Sequence, residues 1–129
     1  KILIGEYLDE ENALVKELLL QPMNDDVFTR IVQLSAEILK KNPLRWKLYF
    51  DMSSQPEVLE IVKERYADVQ ALWYEKLLQF FTEKGSTDPM NDIQFFASTM
   101  MGLKVSYLYD PDHFPIDEME QRIIKLFTK

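Results

Sequence analysis

The stretch FFASTMMGLKVSYLYDPDHFPIDEMEQRIIKLF, Phe95 to Phe127, decides the fold. Through Tyr109 its only charge is Lys104, and apolar residues fall nearly all the way round a helical wheel. The run Asp110-Pro111-Asp112-His113-Phe114-Pro115 interrupts it. An amphipathic helix then follows from Ile116 to Phe127, with Ile116, Met119, Ile123 and Leu126 or Phe127 inward. A helix with no wet side needs apolar neighbours all round, and its two faces differ in kind. Ile93, Phe96, Met100, Leu103 and Tyr107 form a bulky face suited to a core. Roughly opposite, Phe95, Ser98, Thr99, Gly102, Val105, Ser106 and Tyr109 form a face that is small in the middle and aromatic at its ends.

Two arrangements would cover both faces. The helix can be central in its own bundle, surrounded on every side. Alternatively, the second face packs on a symmetry mate, since small residues let backbones approach and aromatics supply contact area. A two-fold interface needs only one self-complementary patch, and the last helix beside it would complete a four-helix bundle across the axis. The homodimer is the preferred expectation. Its contacts would be Phe95, Thr99, Gly102, Val105, Ile116, Met119 and Ile123.

Upstream, the same periodic reading gives an all-α bundle of about six helices in a single domain, residues 1–129. The first, about Ile2 to Leu20, places Ile4, Tyr7, Leu8, Leu14, Leu18 and Leu19 near one side. Asp25 or Asp26 is positioned to cap the second, where Val27, Phe28, Ile31, Leu34, Ser35, Ile38 and Leu39 recur at three-and-four spacing. Asn42-Pro43 stops that helix and starts a short third one, Leu44 to Met52, dense in aromatics. Ser54 and Glu57 have the spacing of a capping box ahead of a long fourth helix, Pro56 to Lys84. Leu59, Val62, Tyr66, Val69, Trp73, Leu77 and Phe80 run along one stripe of it. Gly85 ends it, and Ser86-Thr87-Asp88-Pro89 restarts the chain into the fifth, Met90 to Tyr109.

Composition excludes several functions. Nearly half of the 129 residues are apolar and only three are glycine, so one continuous core is affordable and disorder is not indicated. The absence of cysteine removes thiolate catalysis, thiolate metal sites and disulfides, and fits a cytoplasmic setting. No charged-then-apolar leader is visible, and the candidate span Ile93 to Tyr109 is too short for a membrane. A net charge of −7, with the basic residues scattered, makes a poor surface for nucleic acid. Gly5, Gly85 and Gly102 stand alone, so no phosphate-cradling loop exists. The single histidine, His113, excludes His–His metal sites and reads as a loop residue rather than a base. No catalytic residue, metal or cofactor is expected.

What remains is a surplus of aromatics and methionine on faces that point inward. Trp46, Tyr49, Tyr66, Trp73, Phe96, Met100 and Tyr107 read either as plain core or as the lining of a small-molecule pocket. Tyr and Trp, with a polar handle on an apolar body, are common in such linings.

The runs NPLRWKLYFDMSSQPEVLEIVKERYADVQALWYEKLLQFFTEKG, DPMNDIQFFASTMMGLKVSYL and YDPDHFPIDEMEQRIIKLF resemble the C-terminal regulatory domain of TetR-type transcriptional repressors. The likeness lies in helix order, in the "NP" break, in the closing "DPD-x-FP" and in the mid-helix glycine. It implies a ligand-sensing, dimerising domain whose first helix would connect to an N-terminal helix-turn-helix head not present here. It also implies a small apolar or aromatic effector in a cavity under the first, second and fourth helices, lined by the seven residues just named. DNA would be touched only through the missing head. Rivals are a lipid- or hydrophobe-binding bundle with no DNA role, a purely structural dimerisation domain and, last, an enzyme.

Overall fold

The structure, a computed structural model, describes residues 2–128, with the side chains of Asp9 and of residues 12–128. The expected inward positions Ile4, Tyr7 and Leu8 therefore lie outside the described side chains. Seven helices follow in order, and no strand occurs among the described residues: α1 (Ile2–Leu19), α2 (Asp25–Lys41), α3 (Pro43–Ser53), α4 (Pro56–Arg65), α5 (Ala67–Glu83), α6 (Pro89–Tyr109) and α7 (Ile116–Phe127).

Local chemistry sets most of these boundaries. Asn24, rather than Asp25 or Asp26, caps α2, its side chain accepting from the Val27 amide at 2.9 Å. The two aspartates sit in the first turn instead, where their charge still favours the dipole. Asn42 caps α3 and Pro43 takes its first position, where a missing N–H costs nothing. At the end of α5, Gly85 adopts φ +85°, its amide donates to the Thr82 carbonyl at 3.0 Å, and Ser86 reaches the Phe81 carbonyl at 3.1 Å. That pair of bonds is a Schellman stop. Asp88 then caps α6, accepting from the Asn91 amide at 3.2 Å. The capping box expected of Ser54 and Glu57 does not form. Ser54 caps the end of α3 and its hydroxyl donates back to the Asp51 carbonyl at 2.9 Å, so it is spent before α4 begins.

Asn24→Ala is expected to lose about 1 kcal/mol of unfolding free energy, the usual size of a side-chain cap. Urea titration followed by circular dichroism reads it; an unchanged midpoint would mean the α2 amides are satisfied by water.

The long fourth helix of the sequence reading is two helices, which corrects the expected number. Tyr66 leaves the helical region at φ −113°, ψ 20°. Neither proline nor glycine stands there, and its amide still donates to the Val62 carbonyl at 3.1 Å. Straight, Pro56 to Lys84 would run about 43 Å, longer than a domain of this size is wide. The break lets α4 follow α3 while α5 turns to lie against α1 and α6. No residue of α4 is buried.

The core lies where α2, α5, α6 and α7 meet. Phe28, 1% exposed, stacks on Phe80 with centroids 4.5 Å apart and the planes 4° from parallel. Phe96 lies 4.9 Å from Phe28, and Phe127 stands edge-on to Phe96 at 5.2 Å. Phe127, not Leu126, is thus the inward residue closing α7; Leu126 is exposed. On α1, Val15 and Leu19 are buried and Leu14 is not. Helix α6 touches α2, α3, α5 and α7, and α2 likewise touches four helices, α1, α3, α6 and α7, so these two share the centre of the bundle.

Candidate functional site

The three-and-four spacing of α6 sends Ile93, Phe96 and Met100 into the interior, and Ala97, Met101 and Lys104 form the neighbouring stripe. Opposite them α5 presents Gln70, Trp73, Tyr74 and Leu77, α1 presents Asn12 and Val15, and α2 presents Ile31 and Ser35. With only alanine at position 97, these side chains do not fill the space between the four helices. A cleft of about 360 Å³ remains. That volume is at the small end of the range of about 300–1,000 Å³ seen for small-molecule sites. Its floor is apolar. Among the described residues its rim carries Asn12, Gln70, Gln94 and one charge, Lys104. The Ser35 hydroxyl donates to the Ile31 carbonyl at 3.0 Å.

The expected pocket residues divide. Trp73, Phe96 and Met100 line the cleft. Trp46, Tyr49, Tyr66 and Tyr107 do not. Trp46 and Tyr49 meet edge-on at 5.8 Å and 87°, close beside Phe50, in an aromatic group belonging to α3. Tyr107 is buried in the core. Tyr66 serves as a tie: its hydroxyl donates to Asp9 at 2.8 Å, while Arg65 donates to both oxygens of the same carboxylate. Burial, and then the Asp9 carboxylate, push the Tyr66 hydroxyl well above its ordinary range. The Arg65 guanidinium, and then Tyr66, hold Asp9 below the usual carboxylate range. This knot joins α1 to the break between α4 and α5. Periodicity missed the polar rim, because Gln70, Gln94 and Lys104 fall just outside the apolar stripe; Lys104 was visible as the lone charge between Phe95 and Tyr109.

The other side of α6 is open. Phe95 is 56% exposed, although its ring still lies 5.8 Å from Phe127. Between α6 and α7 runs a shallow apolar groove of about 230 Å³, formed by Thr99, Gly102 and Leu103 with Phe114, Met119, Arg122, Ile123 and Leu126. A Cβ added at Gly102 would meet nothing within 4 Å. Of the expected dimer contacts, Phe95, Thr99, Gly102 and Met119 lie on or beside this face. Ile123, 7% exposed, forms its floor. Ile116, 5% exposed, belongs to the protomer's own core, and half-buried Val105 does not line the groove.

At the far end of α6 the exposed Tyr109 donates to Asp51 at 2.7 Å, with the Lys47 ammonium 4.9 Å above its ring. That bond raises the Tyr109 hydroxyl and lowers the Asp51 carboxyl from their ordinary values. His113 sits in the turn before α7, its Nδ1 2.8 Å from Asp110, whose hydrogen bond raises its pKa. Among the described residues no group of three or more acidic or histidine side chains could hold a metal, and no helix is long and apolar enough to cross a membrane.

Compared with known protein families, characterised proteins and solved structures, the chain shows no significant match in any of the three.

Proposed function

We propose that this chain is the ligand-sensing and dimerisation domain of a TetR-like transcriptional regulator. The observation that carries the reading is the division of labour on α6. One stripe of this central helix borders a cleft shared with α1, while the opposite side borders an apolar groove with a glycine in mid-helix. Glycine inside a helix costs about 0.5–1 kcal/mol relative to alanine, and nothing within the protomer requires it at position 102. Close approach of a second backbone supplies a reason.

In this reading a small molecule with an apolar or aromatic body enters the cleft and contacts α1 on one side and α5 and α6 on the other. Helix α1 would be the connection to a DNA-binding head. A ligand that fits better with α1 in one position than in another shifts that equilibrium by its difference in affinity and by no more. The groove would hold two protomers together, so that both heads move as a pair. With its charge of −7, this domain would leave the contact with phosphates to the heads.

Native mass spectrometry of the purified chain tests the proposal. The expected result is a dimer retaining a small co-purified molecule, or accepting aromatic compounds with a change in Trp73 emission. A monomer that binds nothing would overturn it. A ligand-bearing monomer would favour a carrier of hydrophobic molecules instead.

A further inference from the structure

We infer that the ligand of the cleft is an elongated amphipathic mono-anion, its acidic end held by Lys104 and its apolar body lying along α6. The inference rests on the reading of the cleft as a ligand site and specifies the chemistry of what enters.

Along α6 the cleft extends from Ile93 to Lys104, about 16 Å of helix. Helices α5 and α6 are joined by a short turn and so run antiparallel. Leu77 and Ile93 therefore stand together at the end near the turn, and Gln70 stands toward Lys104 at the other. The walls between are Trp73, Phe96 and Met100. An apolar body with one polar end matches this gradient.

The sign of that end follows from the charges. Among the described residues, Lys104 is the only charged one bordering the cleft. Five other cations of the chain have acidic partners: Arg30 with Glu37, Lys40 with Asp117, Lys47 with Asp51, Arg65 with Asp9 and Lys84 with Asp25. Among the described residues no carboxylate is paired with Lys104. A half-buried ammonium beside a neutral amide gains from an anion that shares its desolvated setting. One lysine balances one charge. A dianion such as a phosphate monoester would leave a negative charge uncompensated in a chain that already carries −7. A carboxylate on an aromatic or alkyl body meets these conditions.

The test compares phenylhexanoate with phenylhexanol, which share ring and chain and differ in the charged end. Calorimetric titration and Trp73 emission are read for the wild type, K104Q and K104R. The acid is expected to bind at least about tenfold tighter than the alcohol, the scale of one hydrogen bond to a charged group. K104Q should remove that preference and K104R should keep most of it, which separates loss of charge from loss of fold. Equal binding of acid and alcohol, or a preference that survives K104Q, overturns the anion assignment and leaves the cleft a ligand site. No response to either compound overturns the cleft as a ligand site and the anion with it.

Discussion

Replacing Phe28 by alanine is expected to lower the unfolding free energy by about 3–5 kcal/mol, the range for deleting a buried aromatic ring. Phe28 is 1% exposed, stacked on Phe80 at 4.5 Å, and within 4.9 Å of Phe96 and 6.1 Å of Phe127. Its removal opens a void among three rings carried by three other helices, α5, α6 and α7. Close packing prevents such a void from collapsing fully, so lost dispersion contacts add to the lost transfer energy. Domains of this size have total stabilities of about 5–15 kcal/mol, so the variant would be partly unfolded in mild denaturant. Urea titration with circular dichroism gives the number, and Phe95→Ala serves as the control. Phe95 is 56% exposed, and as a surface position its truncation should cost under about 1 kcal/mol in the separated protomer. Similar losses for the two variants would mean that the aromatic cluster is not the centre of the core.

Gly102→Glu is expected to convert the proposed dimer to monomer, weakening association at least about a hundredfold, or about 2.7 kcal/mol. The protomer should tolerate the substitution, because a Cβ at this position meets nothing within 4 Å. Glutamate is also the better helix former, so the folded protomer stands to gain up to about 1 kcal/mol. Across a two-fold axis the change brings two bulky carboxylates face to face in a groove whose described lining offers one cation, Arg122, and both lose water where the backbones would otherwise approach closely. Sedimentation of wild type and variant over a range of concentrations reads the outcome, and thermal unfolding confirms that the protomer survives. A variant that sediments as a dimer like the wild type would remove this groove from the proposed interface, and a wild type that sediments as a monomer would remove the dimerising role.

Several elements were legible before the structure because the chemistry that makes them spans only a few residues. Asn42 with Pro43, Gly85, and Asp88 with Pro89 each set a boundary through bonds to amides or carbonyls within about a turn of helix. Where local chemistry has two options, a few residues alone do not choose between them. Ser54 could cap forward onto α4 or bond back into α3, and it bonds back. Asn24 and its two acidic neighbours are all good caps, and geometry selected Asn24.

The break at Tyr66 has no such signature. Its side chain is tied to Asp9, 57 residues earlier, by contacts that exist only once α1 has docked. The candidate cleft divides along the same line. Trp73, Phe96 and Met100 were legible as inward positions, because helical periodicity assigns faces. Trp46, Tyr49, Tyr66 and Tyr107 carry the same signature, yet neighbouring helices receive them elsewhere.

By itself, then, the sequence determined that this chain is helical, which stripe of each helix turns from water, and that α6 has two unlike faces. Those properties follow from the spacing of apolar residues and from caps, which act over one or two turns. Only the tertiary structure decided which faces meet, where α4 parts from α5, and that Lys104 stands at the lip of a cleft. Those depend on how side chains distant in sequence fill the space between helices, and close packing resolves that for the whole set at once.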